Sequence, residues 1–197
     1  VSNDATEIVV GANGRVLVAA ADDVVVWPDD VITGSGDDLD AAFKAVGFVT
    51  TDGITFTDSK NVNDITAWQA FYPVRKVVTD KMSKVEFTMK QWDRTTVETA
   101  FGGGSVSTDG GVSTYVPPEP GELSEIAMII EWLDGDDVYR LVCPRGLVTG
   151  EVAVKVTRTD SADLPVSYEV TPKGTPTEGD MGSLPWYLLT NADQFGS

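Results

Sequence analysis

The clearest run of alternating apolar and polar positions lies near the middle of the chain. Between residues 84 and 91, Val85, Phe87 and Met89 alternate with Lys84, Glu86, Thr88 and Lys90. A period of two sends the first set to one sheet face and the second set to the other. The spacing therefore predicts a strand whose core face is Val85, Phe87 and Met89. Residues 74–79 read as its partner arm, with a polar turn at 80–83. A short helix is expected next. Asp93 can cap it, Val97, Ala100 and Phe101 form an i, i+3, i+4 stripe, and Gly102 can end it.

The same reading gives short strands elsewhere. Residues 8–10 and 16–20 suggest a hairpin around the glycines at 11–14. Further strands are expected at 24–27, from 54 onward, and at 126–133, 138–143, 147–158 and 166–171, with a break at Pro144-Arg145-Gly146. Leu39, Ala42 and Phe43 form a small helical stripe closed by Gly47, after a turn-rich stretch at 30–38. Eight or nine strands with one or two short flanking helices make a mainly β fold, a β-sandwich or open barrel. Residues 1–173 read as one domain. Residues 174–197 read as a C-terminal arm anchored by Trp186, Tyr187 and Leu188.

Two loops break the usual composition. Loops normally carry polar and small turn residues, yet the excursion at 59–73 carries Ile65, Trp68, Phe71 and Tyr72. It either folds onto its own core or offers its aromatics to another chain. The second excursion, 102–122, is dominated by glycine, serine and proline and cannot form a core alone. Tyr115 and Val116 are its candidate pins.

Composition removes several function classes. Fourteen basic against thirty-one acidic residues give a net charge of −17, which opposes binding to nucleic acid by phosphate neutralisation. Most of the carboxylates read as solubilising surface. There is no histidine, so His-based triads, general bases and zinc sites are out. The single Cys143 reads as a small core residue. The Gly-rich runs lack the Lys-Ser/Thr ending of a phosphate loop, and Asp-rich turns such as 134–137 lack EF-hand spacing. No cofactor, metal or catalytic residue is expected, and no apolar run approaches the ~20 residues of a membrane span. The N-terminal residues lack the pattern of a secretory signal.

Several segments, in order, carry a resemblance. They are LDAAFKAVGFVTTDGITF, AWQAFYPVRKVVTD, VEFTMKQWDRTTVETAFGG, VYRLVCPRGLVTGEVAVKVTR, LPVSYEVTP and WYLLTNADQF. Together they resemble the major tail tube protein of long-tailed, siphovirus-type phages of actinobacteria. The resemblance implies a non-enzymatic virion protein, made in the host cytoplasm, whose copies form six-fold rings stacked into a tube. It implies that phage DNA and the tape measure protein pass through the lumen without sequence-specific binding. Tail terminator and distal tail proteins would meet the tube ends. It assigns Ile65, Trp68, Gln69, Phe71 and Tyr72 to contact between rings. Lys84, Glu86, Thr88 and Lys90 are then candidates for the lumen face. The residues by themselves also fit a monomeric β-sandwich binding or decoration module.

Overall fold

The computed structural model describes residues 8–11, 13–29, 39–177 and 179–195. Three strands form its centre: β1 (Asn13–Ala20), β7 (Ile126–Asp134) and β8 (Asp137–Val148). Each contains a run of consecutive buried residues where a half-solvated strand would alternate. Such runs arise when both faces of a sheet are covered. One face packs Val16, Val18, Met128, Ile130, Leu141 and Cys143 into the main core. The other face, with Leu17, Ile129 and Val142, lies under Trp27, Phe43, Leu184 and Tyr187.

Around these strands the chain adds β2 (Lys44–Ala45), β3 (Thr55–Ile65), β4 (Arg75–Met89), β9 (Leu164–Val170) and β10 (Tyr187–Thr190). The sheet order is β2-β1-β7-β8-β9-β4-β3, with β10 also on β8, and all the pairings are antiparallel. β5 (Ser105–Asp109) and β6 (Val112–Val116) form a separate hairpin.

Residues 44–50 curl this sheet toward a barrel. The Val46 amide donates to the Val16 carbonyl on β1, while Val49 bridges Met89 and the Thr50 amide donates to the Thr88 carbonyl on β4. One short stretch thus ties the two flanks of the core together. Gly47, between the two contacts, has φ +76°, and a Cβ there would strike the Gln91 side chain, whose Oε1 accepts from the Phe48 amide. The kink requires glycine.

The expected helix around residue 42 does not form. The Asp40 carboxylate accepts from the amides of Ala42, Val25 and Val26, and this local bonding turns the chain. Those same bonds, that of Ala42 foremost, hold the Asp40 carboxyl below its ordinary pKa. Residues 24–27 are not a strand either, since two of their amides are spent on Asp40. Residues 8–10 do not pair with β1. The Val10 amide goes to Asp134 Oδ2, and β1 pairs with β2 and β7. The turn-rich stretch expected at 30–38 lies outside the described residues.

The other helix forms as α1 (Arg94–Ala100). Asp93 and Thr96 cap each other reciprocally, at 2.9 Å and 2.8 Å. Its buried residues are Thr96, Thr99 and Ala100, so the helix is turned from the expected Val97, Ala100 and Phe101 stripe. Phe101 instead packs on Tyr115, whose hydroxyl donates to the Gly103 carbonyl. Tyr115 therefore pins the β5–β6 hairpin to the helix, whereas Val116 is exposed. The glycines at 110 and 111, both at positive φ, turn that hairpin, where sequence composition suggested a structureless loop.

No break occurs at Pro144-Arg145-Gly146. β8 runs through them because the β7–β8 register shifts between Ile126 and Met128, and a bulge tolerates a residue without an amide proton. Gly146 gives room for the ring of Tyr168, whose buried hydroxyl donates to the Ile126 carbonyl at 2.8 Å. Cys143 is fully buried, and desolvation pushes its thiol up to about 12. It is a core residue.

One charged cluster enters the interior. Arg140 is 2% exposed and binds Glu131 Oε2 through Nε at 3.0 Å, while Arg15 holds Glu131 Oε1 at 2.8 Å. Removing one partner of a buried pair costs about 3 kcal/mol, because the remaining charge stays desolvated. Glu131→Ala is expected to lower unfolding stability by that order in urea titrations, and Glu131→Gln by less.

Candidate assembly interface

The exposed aromatics sit at the end of a long ribbon. β4 has fifteen residues, but only Lys84–Met89 pair with β9. Among the described residues the rest of β4 pairs with β3 alone, from Asp58↔Ser83 to Ile65↔Arg75. The expected hairpin arms at 74–79 and 84–91 are therefore a single strand, and no turn occurs at 80–83. That stretch has no glycine or proline, and its side chains find cross-strand partners. Lys81 pairs with Asp58 at 3.6 Å, and Ser83 donates to Asp58 at 2.6 Å. The Ser83 hydroxyl is the main cause that holds the Asp58 carboxyl below its ordinary pKa.

The true turn is at 66–74, shorter than the loop expected at 59–73. It closes through Val74 N to the Ile65 carbonyl and Ala70 N to the Ala67 carbonyl. Trp68, Gln69, Phe71 and Tyr72 all lie on it and are exposed. Trp68 and Phe71 are 99% and 105% exposed, so they touch almost nothing in their own chain. Ile65, at the last position of β3, is 44% exposed.

The stem extends this surface. Val62 and Val78 face each other across the two strands, and both are exposed, as are Val74 and Met82. Sequence reading missed them because a turn was expected at 80–83, which hid the length of β4. A register shift at Asn61/Val62 bends the ribbon, and Lys76–Asp64 closes its distal part at 2.7 Å. The ribbon is also electrically distinct. Residues 55–89 carry five of the fourteen basic residues but only four of the thirty-one acidic ones. The excess negative charge belongs to the body.

The base of the ribbon is clamped. Trp186 meets Phe56 edge-on at 5.1 Å, and Lys81 Nζ lies 5.7 Å from its ring centroid. Tyr187 is buried and donates to the Pro28 carbonyl, while Leu188 pairs with Leu141 in register. The segment 186–188 thus ties the end of the chain to both β8 and the ribbon.

Val85, Phe87 and Met89 are 0%, 5% and 0% exposed and lie in the main core. Lys84, Glu86 and Thr88 take the opposite face, where Lys84 pairs with Glu86 at 2.9 Å. Their cross-strand neighbours there are Thr55 and Thr57 on β3 and Pro165, Ser167 and Glu169 on β9. Lys90 stands past the end of β4, and its ammonium group reaches Ser161 at 3.0 Å and Asp163 at 3.8 Å. The four residues expected on this face therefore divide into three on the strand and one tied to a connection.

No group of three or more metal-ligating side chains occurs among the described residues. No helix among them is long and apolar enough to cross a membrane. A family model described as phage tail tube protein matches residues 1–178. No curated protein matches the chain. A mainly β, antiparallel fold suits that match, which spans nearly the whole sequence. The chain belongs to the phage tail tube proteins, structural and non-enzymatic components of the virion tail that assemble into a tube.

Proposed function

We propose that six copies of this chain close into a ring, that rings stack into a siphovirus tail tube, and that phage DNA leaves through the lumen. One observation carries this reading: Trp68 and Phe71 stand fully in solvent at the tip of a ribbon that its own domain does not cover. Large aromatics grouped in this way mark an interaction surface. Ile65, Trp68, Gln69, Phe71 and Tyr72 contact the next ring and become ordered there. Residues 1–173 are the ring-forming domain, and 174–197 are an arm held by Trp186, Tyr187 and Leu188. The tape measure protein occupies the lumen before ejection, and terminator and distal tail proteins cap the ends. The subunits are made in the cytoplasm of the bacterial host.

Lys84, Glu86 and Thr88 line the lumen, beside Thr55, Thr57, Ser167 and Glu169. That face is polar, and its carboxylates outnumber its single ammonium group. DNA carries a charge about every 1.7 Å of axis, so a basic wall would hold it through many weak contacts, whereas a net acidic wall lets it slide. An assembled-tube structure with a net basic lumen would overturn this assignment.

Trp68→Ala is expected to leave a folded monomer with an unchanged circular dichroism spectrum. It should raise the concentration needed for tubes by about thirtyfold, the effect of losing one aromatic hot spot. Tubes at the wild-type concentration would count against the tip as the contact. Negative-stain microscopy of the purified chain separates tubes and rings from the single particles that a monomeric binding module would give.

Six copies at −17 each repel one another, and counterions must screen that repulsion. Assembly should therefore weaken as ionic strength falls. Light scattering that shows equal assembly at about 10 mM and 150 mM salt, Debye lengths of roughly 30 Å and 8 Å, would rule this out.

A further inference from the structure

The main core of the body stays open at the foot of the ribbon. A cleft of about 620 Å³ lies there, lined by Ile54 and Phe56 at the start of β3, Trp132 on β7 and Trp186 of the C-terminal segment. All four are half-buried against the core, and the rest of their apolar surface faces the cleft. Among the described residues that line it, the only charged one is Glu131, which Arg15 and Arg140 already hold. The cleft therefore suits an uncharged, apolar occupant with a few polar groups.

One such polar group is already called for. Nε1 of Trp186 is buried and makes no hydrogen bond among the described residues. Its N–H is the least of the causes that lower the Asp58 carboxyl, and that carboxylate is taken by Ser83 and Lys81. Buried donors in folded proteins normally find an acceptor. The occupant should thus bring an acceptor as well as apolar rings.

The turn at the ribbon tip has that chemistry. Residues 66–74, Thr-Ala-Trp-Gln-Ala-Phe-Tyr-Pro-Val, carry no charge. Trp68 and Phe71 lie in solvent, and the exposed Gln69 between them offers an amide oxygen. Residues 1–7 precede Val9 at the rim of the cleft, but they include Asp4 and Glu7 and no aromatic. The tip cannot enter its own cleft. The eleven residues of β3, at about 3.3 Å each, set the tip roughly 36 Å from the foot. A second copy in the same orientation, shifted along the ribbon by that length, brings its cleft level with this tip. Repeating the shift gives an open head-to-tail stack, in which each copy lends a tip to one neighbour and a cleft to the other.

We infer that the cleft beside Phe56, Trp132 and Trp186 is the socket for the Trp68–Phe71 turn of a second copy of this chain in the adjacent ring. The inference rests on the ring-stacking reading above and names the surface that answers the tip. Gln69 then supplies the acceptor that Trp186 lacks.

Filling the cleft tests it. Gly11 lines the cleft and has no positive φ, and the nearest atoms that a Cβ there would meet belong to the Trp132 side chain, at 3.6–3.9 Å. Gly11→Leu should keep the thermal midpoint of the monomer and still allow rings, but raise the concentration needed for stacked tubes by about tenfold or more. Tubes at the wild-type concentration overturn the socket. A lowered monomer midpoint also overturns it, because the cleft is then filled within its own chain. Val9→Cys combined with Gln69→Cys is a second probe, and Cys143 does not interfere because it is fully buried. Oxidised tubes should give a covalent ladder that runs past six copies on a denaturing gel, since each tip joins the next ring. A ladder that stops at six puts the tip on a neighbour in the same ring, and monomers alone put it outside the cleft; either overturns the proposal. Loss of tubes with Trp68→Ala but not with Gly11→Leu sinks the socket alone, whereas normal tubes with Trp68→Ala sink the stacking role of the tip itself.

Discussion

A mismatch in strand length organises this molecule. β4 is fifteen residues long and its inner neighbour β9 is seven. The six paired positions, Lys84–Glu169 through Met89–Leu164, lock one end of β4 into the core. Among the described residues, the other end pairs its backbone only with β3. At about 3.3 Å per residue, β4 is a rod of nearly 50 Å, of which the domain covers less than half. A two-stranded ribbon alone in water is marginal. Here it is held by what happens at its base, where Val85 and Phe56 enter the core and Trp186 packs across Phe56 and Lys81.

Charge follows the same division. The body carries the acidic excess, partly organised by short local devices such as the Asp40 turn and the Arg145 pairs with Asp22 and Glu125. The ribbon is close to neutral and studded with valines and aromatics. A highly negative surface favours solubility and repels like-charged copies, whereas a near-neutral apolar surface repels them less. The acidic excess and the exposed apolar surface thus belong to different regions of one chain.

Local chemistry was legible in the sequence wherever it was self-sufficient. The alternation of Val85, Phe87 and Met89 defined a core face, Asp93 marked a helix start, and an acidic, histidine-free composition argued against most catalysis. The ordered segments resembled a tail tube protein, the family that the matched residues show. The oddity of Trp68, Phe71 and Tyr72 in a loop was visible too. Errors arose where two local readings competed. Leu39, Ala42 and Phe43 had helical spacing, but Asp40 bonds the amides of Ala42, Val25 and Val26 instead, because a helix of a few residues has little to gain. Residues 80–83 looked like a turn because Asp80, Lys81 and Ser83 are polar, although their pairing with β3 holds them extended. The Gly-rich stretch at 102–122 hid a hairpin whose strands are mostly exposed, so it had no alternation to reveal it.

The sequence by itself determined the fold class, the core face of β4, the cap of α1 and the presence of aromatics that needed an explanation. Periodicity, capping and composition are properties of neighbouring residues, and neighbours are what a sequence displays. Tertiary structure decided that 75–89 is one strand, that residues 44–50 tie β1 to β4, that the aromatic turn lies at the tip of a ribbon, and that the strand expected at 147–158 stops at Val148. Each of these depends on which distant strand supplies the next row of hydrogen bonds. That choice is fixed by pairing between residues far apart in the chain, and no local pattern encodes it.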